Sequence, residues 1–322
     1  MPIINNDILI KNQMKGYLDS LNIDYNINVN ILDNPNYEPL DFYFPEQKIA
    51  IDTASMWADN HSFPGENPNL KVQSRYFIKK IMAYQNIGIK LMVFWEHWMA
   101  NTIQWETIKD IIGHTFGNSN IKVFARKCDI VELYTSEERL KSFYNENALF
   151  KNRGGTFAHG LIYQNELIMA MTCREKLDSE GQTVLLIERA ACKHRYNIPG
   201  GVSRLIKNLN NFDYDYLQFM TVTDYALGGG LVASGFEGGK MQPTLWQLQC
   251  HKIDPKADLY KSTLLESRGR GSYQEYKQDI VDEIQGRVYT AGTKEYRLYK
   301  NKDATKPKTP LVSLENHINE PV

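Results

Sequence analysis

Two aspartates, Asp41 and Asp52, stand where half-buried strands normally carry apolar side chains. Asp41 interrupts Leu40-Asp41-Phe42-Tyr43-Phe44, and Asp52 follows the apolar run Ile49-Ala50-Ile51. Only Pro45-Glu46-Gln47 lies between the β-like runs 40–44 and 48–53, so they read as a hairpin whose arms aim both acids the same way. Two carboxylates converging on a hard cation such as Mg²⁺ or Mn²⁺ can activate water and neutralise a leaving group, which is the chemistry of phosphodiester hydrolysis. The plainer reading is that Asp41 and Asp52 mark strand edges or satisfy a backbone amide or an arginine. His61, in the loop that follows, offers a base titrating near neutrality; its plainer reading is a surface histidine.

A second constellation is Lys193-His194-Arg195-Tyr196-Asn197-Ile198-Pro199-Gly200-Gly201-Val202-Ser203-Arg204. It sets basic residues and a glycine pair immediately before a helix, the arrangement that holds a phosphate on helix N-terminal amides. Gly200 and Gly201 form the expected phosphate loop, with Arg195, Arg204 and Lys207 as contacts to a DNA phosphate; a strand-to-helix turn without a ligand is the alternative. Arg268-Gly269-Arg270-Gly271 is flexible and basic and could reach a groove or backbone. Trp57, Trp95, Trp98 and Trp105 could stack on bases or fill a core.

These residues need elements to hold them. Helical spacing over 6–21 predicts an opening helix, followed by strands at 25–31, 40–44 and 48–53. A polar loop at 59–69 leads to a helix around 76–84, a buried strand at 89–95 and a helix over 103–116 ended by Gly117-Asn118. Beyond a boundary near 118–130, the pattern predicts a helix at 136–147, strands at 159–163, 166–173 and 183–190, a helix at 200–210 and a strand at 216–222. A Gly-rich segment at 224–239, short strands from Pro243 and a helix near 273–284 complete it. The expectation is an α/β protein: residues 1–120 as a small mixed sheet flanked by helices, 121–300 as a second α/β domain used to position DNA, and 301–322 as a flexible tail.

The chain has 322 residues, with 37 Lys+Arg against 38 Asp+Glu, a balance that excludes a basic coat wrapping nucleic acid along its whole length. Contacts must come from local patches, such as residues 240–308 with fourteen Lys/Arg against nine Asp/Glu. Cys128, Cys173, Cys192 and Cys250 form no Cys-x-x-Cys pair, which fits a reduced cytoplasmic chain. No apolar run reaches the ~20 residues of a membrane span, and no export signal is expected.

The strings 40–52, Gly88 to Trp98 and Ile121 to Cys128 resemble phage-encoded homing endonucleases whose nuclease domain is similar to very-short-patch repair endonucleases, a branch of the PD-(D/E)XK fold. That resemblance implies a restriction-endonuclease-like sheet, a bacterial-host cytoplasmic setting and a metal site on Asp41 and Asp52. It adds Thr53, Lys80 and Glu96 to the catalytic set with His61. The chain departs from the pattern at Ala54, Asp59 and Phe77, where histidines are usual, and at Lys11 or Asn12, where the first helix usually carries an acid. Leu231 to Phe236, with the glycine pair, looks like a degenerate N-acetyltransferase-type half. Val202 stands there in place of a third small residue, which speaks against acetyl-CoA.

The sequence therefore predicts a Mg²⁺- or Mn²⁺-dependent DNA endonuclease of the homing type. Two alternatives stand beside it: a nuclease-fold protein that binds DNA without cutting, and an acyl- or group-transfer enzyme modifying DNA through the C-terminal half.

Overall fold

The computed structural model describes residues 6–54, 76–99, 101–118, 121–149, 155–242, 245–254, 259–267, 284–289 and 291–300. The expected positions Trp57, His61, Arg268, Arg270, the loop 59–69, the helix near 273–284 and the tail 301–322 lie outside these residues.

The N-terminal part opens with α1 (Asn6–Ser20), whose Met14 and Leu18 are fully buried. β1 (Asn26–Val29), β2 (Leu40–Phe44) and β3 (Ile49–Ala54) follow as an antiparallel meander. α2 (Tyr76–Asn86) then carries the chain to β4 (Lys90–Trp95), which pairs parallel to β3. A parallel pair requires such a crossover, and strands covered on both faces lose alternation; accordingly all six residues of β3 are buried. A short α3 (Glu96–Met99) and α4 (Thr102–Thr115) close this part. Asn101 caps α4 by accepting from the amides of Ile103 and Gln104.

The second part is a seven-stranded sheet ordered β12-β16-β11-β9-β8-β7-β6. β6 (Asp129–Leu133), β7 (Phe157–Tyr163), β8 (Glu166–Leu177) and β9 (Thr183–Cys192) run as an antiparallel meander, with α5 (Glu138–Asn147) after β6. α6 (Gly201–Leu209) crosses from β9 to β11 (Tyr216–Val222), the parallel pair in this sheet. After α7 (Gly229–Ala233), β12 (Glu237–Gln242) lies at the edge and β16 (Thr293–Tyr299) inserts between it and β11. Two short strands, β5 (Ile121–Lys122) and β10 (Tyr196–Asn197), pair with each other. β13 (Leu245–Asp254), β14 (Leu259–Ser267) and β15 (Ile284–Tyr289) make a separate antiparallel sheet. The α/β class expected from the sequence is what folds; the finer restriction-endonuclease-like assignment is not shown. No helix among the described residues is long and apolar enough to cross a membrane.

One apolar cluster lies under the N-terminal sheet and a second under the seven-stranded sheet. They meet, because Val222, Tyr225, Leu227 and Met241 of the second part pack on the first cluster. Gly228 sits at this seam in left-handed conformation (φ 67), and a Cβ there would lie 2.2 Å from Cζ of the fully buried Tyr296. A rigid ring cannot yield as a flexible chain does, so Gly228→Ala is expected to cost about 2–3 kcal/mol. Urea unfolding of the variant, compared with Gly229→Ala where a Cβ meets open space, checks this.

Candidate functional site

Three places gather polar chemistry. The first is the hairpin. The register Phe42↔Ile51 places Asp41 opposite Asp52, and the two acids do come together, as the spacing predicts. Their oxygens, however, are taken. Asp41 accepts from the Thr53 amide (2.8 Å) and hydroxyl (2.7 Å) on Oδ2 and pairs with Lys11 Nζ (2.9 Å) on Oδ1. Asp52 accepts the Asp41 amide on Oδ1 (3.1 Å) and pairs with Lys80 on Oδ2 (2.7 Å). Lys80 is only 3% exposed. Burial pushes the Asp52 carboxyl up, against the pull of Lys80; burial drags Lys80 down, but Asp52 and Tyr76 outweigh it and hold the ammonium charged.

The cavity beside them, lined by Lys11, Glu38, Tyr76 and Lys80 among others, holds about 20 Å³, room for about one water. No group of three or more His, Cys, Asp or Glu among the described residues could hold a metal. Lys11, on the helix where an acid was usual, supplies the cation that Asp41 needs. Glu96 is buried at the start of α3 and does not line the cavity. Thus Asp41, Asp52, Thr53 and Lys80 cluster around the cavity, which Glu96 does not line. Trp95 and Trp98 are fully buried core residues rather than stacking platforms.

The second place is the parting of β9 and β11. They pair only from Val184–Tyr216 to Ile187–Phe219. Among the described strands, β9 then continues to Cys192 paired with β8, and β11 continues to Val222 paired with β16. The facing edges of Glu188–Cys192 and Met220–Val222 thus bound a wedge, and its β9 rim leads directly into the glycine loop and α6. Gly200 is the α6 N-cap in left-handed conformation (φ 79), without a side-chain cap, and the first turn of α6 has no acid. First-turn amides lack intrahelical acceptors, so such a terminus favours an anion.

The predicted basic contacts disperse. Arg195 is exposed beside the loop. Arg204 is half-buried towards Cys128, whose thiol is pushed up by burial and drawn down by that guanidinium. Lys207 lies in the last turn of α6, about 10 Å from Gly200 at 1.5 Å rise per residue, so the structure does not bring it to the loop.

The turn that feeds this loop is clamped by residues that sequence reasoning missed. The His194 amide donates to Asn147 Oδ1 (2.9 Å), its ring Nε2 meets Thr107 Oγ1 (3.0 Å), and the Arg195 amide donates to Asp110 Oδ1 (2.6 Å). Arg195 itself is left-handed (φ 68), a conformation a non-glycine residue holds only when its surroundings fix it. Beyond it, the amides of Ile121, Val123 and Ala125 donate to the carbonyls of Arg195, Asn197 and Pro199. The N-terminal helix α4 and the segment after it therefore set the path of the loop. The signal was the polar face Thr107, Asp110, His114 at helical spacing.

The third place is the seam at the tip of β11. The Asp224 carbonyl accepts the Val93 amide (2.7 Å), while its carboxylate Oδ1 accepts Trp95 Nε1 (2.9 Å) and the Ala291 amide (3.3 Å). Thr223 binds Ala291 and Gly292 alongside. Burial pushes Asp224 up to about 7. The Gly-rich reading of 224–239 hid this carboxylate.

No protein-family model and no curated protein matches the chain. Among solved structures it is similar to the ribosomal-protein-S18-alanine N-acetyltransferase from Escherichia coli, at 10% identity and TM-score 0.31, over 56% of this chain and 99% of that one. It is also similar to a GNAT family acetyltransferase from Elizabethkingia anophelis with acetyl-CoA bound, at 12% identity and TM-score 0.27, over 54% and 98%. An N-acetyltransferase from Staphylococcus aureus Mu50 matches at 15% identity and TM-score 0.27, over 43% and 96%. At these values the likeness sets no residue-by-residue correspondence.

The expected homing-type endonuclease with its PD-(D/E)XK domain is corrected accordingly. The three solved structures just named are acetyltransferases, and the Mg²⁺ or Mn²⁺ site expected on Asp41 and Asp52 is replaced by a set of ion pairs and hydrogen bonds. The objection to acetyl-CoA is corrected as well. Val202 is half-buried and packs on the apolar cluster containing Val123, Leu205 and Leu217.

Proposed function

We propose that the chain is an acyl-transfer enzyme whose donor is a coenzyme A thioester lying in the wedge between β9 and β11. The observation that carries this reading is the parting of the two parallel strands beyond Ile187 and Phe219, with α6 starting from the β9 rim. Where β9 and β11 no longer pair with each other, the space between them suits an extended chain with amide groups of its own. At the foot of the wedge, the α6 terminus, which has no side-chain cap, suits a diphosphate, with exposed Gly200 admitting close approach of backbone to ligand. A coenzyme A thioester held there supplies the activated acyl carbon.

The residues fit that group. The Val202 side chain is engaged in the core cluster, and no acid in the first turn of α6 opposes an anion. The proposed division keeps residues 1–120 as a separate module, 121–300 as the transferase part and 301–322 as a tail. It is supported by the apolar clusters, one centred in the first part and two in the second, and by the position of the boundary between α4 and β5. In this arrangement the first module serves the second, since α4 clamps the donor loop and β4 fixes the tip of β11.

Calorimetric titration with acetyl-CoA tests the reading. Wild type is expected to bind, Gly200→Val to bind at least about tenfold more weakly, since a β-branched residue at φ 79 shifts the loop at a cost of about 1–3 kcal/mol, and Val202→Ala to differ by less than about threefold. Absence of saturable binding by wild type would overturn it.

A further inference from the structure

The connector between the two parts exposes an aromatic ring flanked by cations. Along residues 121–127 the side chains of Val123 and Ala125 are buried, while Lys122, Phe124, Arg126 and Lys127 are exposed. Phe124 is 40% exposed, with Lys122 Nζ 5.4 Å and Arg126 Cζ 5.2 Å from its ring centroid. Single exposed apolar residues are ordinary. A ring with two cations over it, neither of them in an ion pair with a described carboxylate, is a different case. No salt bridge among the described residues relieves Lys127 either, and exposed Arg195 lies alongside, its carbonyl bonded to the Ile121 amide. Asp129 is the acid close by in sequence, and it pairs with none of them.

The backbone keeps this patch rigid and in place. The Val123 amide donates to the Asn197 carbonyl (2.9 Å) and the Ala125 amide to the Pro199 carbonyl (3.1 Å), and Ala125 Cβ lies 3.8 Å from where a Cβ on Gly200 would stand. The ring and its cations are therefore presented beside the glycine loop of the proposed donor site.

We propose that Lys122, Phe124 and Arg126 bind a single strand of nucleic acid, the two cations leaving the ring for flanking phosphates so that a base stacks on the face they vacate. An exposed ring covered only by two mobile cations suits this chemistry, because every base has a π-face and every linkage a charge. The near-neutral whole chain fits a short local footprint of this kind rather than an extended coat. The binding stands independently of the acyl-transfer reading.

The experiment is fluorescence anisotropy of a labelled oligothymidine of about ten nucleotides with the full chain, over a salt series. Wild type is expected to bind. Phe124→Ala is expected to weaken binding about tenfold, in line with about 1–3 kcal/mol per stacked base, and Phe124→Trp to restore it. Lys122→Ala with Arg126→Ala is expected to flatten the slope of log K against log salt by about 1.4, at about 0.7 per phosphate contact on a single strand.

Unchanged affinity in Phe124→Ala overturns the proposal, as does absence of wild-type binding. So does full competition by adenosine 3′,5′-bisphosphate at the affinity of the oligonucleotide, which would give the patch to the nucleotide end of the donor. Acetyl-CoA titration of the same Phe124→Ala protein separates the two readings: retained donor binding with lost oligonucleotide binding supports both, and lost donor binding with retained oligonucleotide binding overturns this one.

Discussion

Lys80→Met is expected to destabilise the protein by about 3–5 kcal/mol, because it strips a buried carboxylate of its cation. Asp52 is 5% exposed and Lys80 3%, and their atoms meet at 2.7 Å. Burial already pushes Asp52 up; without Lys80 the carboxyl would have to take up a proton or stay charged against the Asp41 carboxylate. The double replacement Asp52→Leu with Lys80→Met removes both charges and is expected to recover most of the loss, since apolar side chains of similar size often substitute for a buried pair at little net cost. Asp41 still keeps Lys11 and Thr53 in that variant. Urea midpoints of the two single variants and the double give the coupling energy. A Lys80→Met loss under about 1 kcal/mol would show that the pair carries no such burden. Addition of millimolar Mg²⁺ is expected to leave the wild-type midpoint in place, where a metal site on these acids would raise it.

The same cluster shows what the sequence could and could not reveal. Alternation and hairpin spacing put Asp41 and Asp52 together, and the structure agrees. What the carboxylates are for depended on Lys11 and Lys80, which approach from α1 and α2, helices remote in sequence. A carboxylate pair reads as a metal site only until its counter-ions are known, and those are fixed by packing that no local pattern encodes.

Element positions were legible where periodicity was strong, as for α4, β7 to β9, α6 and β11. The insertion of β16 between β11 and β12 was not, because its pairing joins residues far apart in sequence, Tyr216 with Tyr299 at one end and Val222 with Thr293 at the other. The wedge was equally hidden. Two strands at 183–190 and 216–222 are readable from composition, whereas the point at which they stop pairing follows from twist and from the neighbours each keeps, β8 on one side and β16 on the other. The glycine turn before α6 was legible, but the direction of the Val202 side chain was not, and the objection to acetyl-CoA hung on that direction.

The seam at Asp224 gives the second large effect, a dependence of stability on pH. Burial raises this carboxyl from its ordinary 3.8 to about 7. The folded state therefore holds the proton more tightly than the unfolded state, and the stability this confers is complete below pH 3.8, falls between 3.8 and about 7, and changes no further above. From pH 5 to pH 8 the expected loss from this group is about 3 kcal/mol, at about 1.4 kcal/mol per unit. Asp52, also raised, acts in the same direction, so the informative quantity is the difference between wild type and Asp224→Asn. Asparagine keeps an oxygen for Trp95 and the Ala291 amide and abolishes the titration. The variant is expected to gain on wild type steadily from pH 5 to about 7, reaching roughly 3 kcal/mol in urea unfolding; parallel curves would refute the assignment. Because Asp224 joins β4 to the tip of β11, its ionisation should also loosen one rim of the wedge. Acetyl-CoA affinity of wild type should then decline above pH 7 while that of Asp224→Asn stays level, which ties the seam to the proposed donor site through a readout that stability alone would not move.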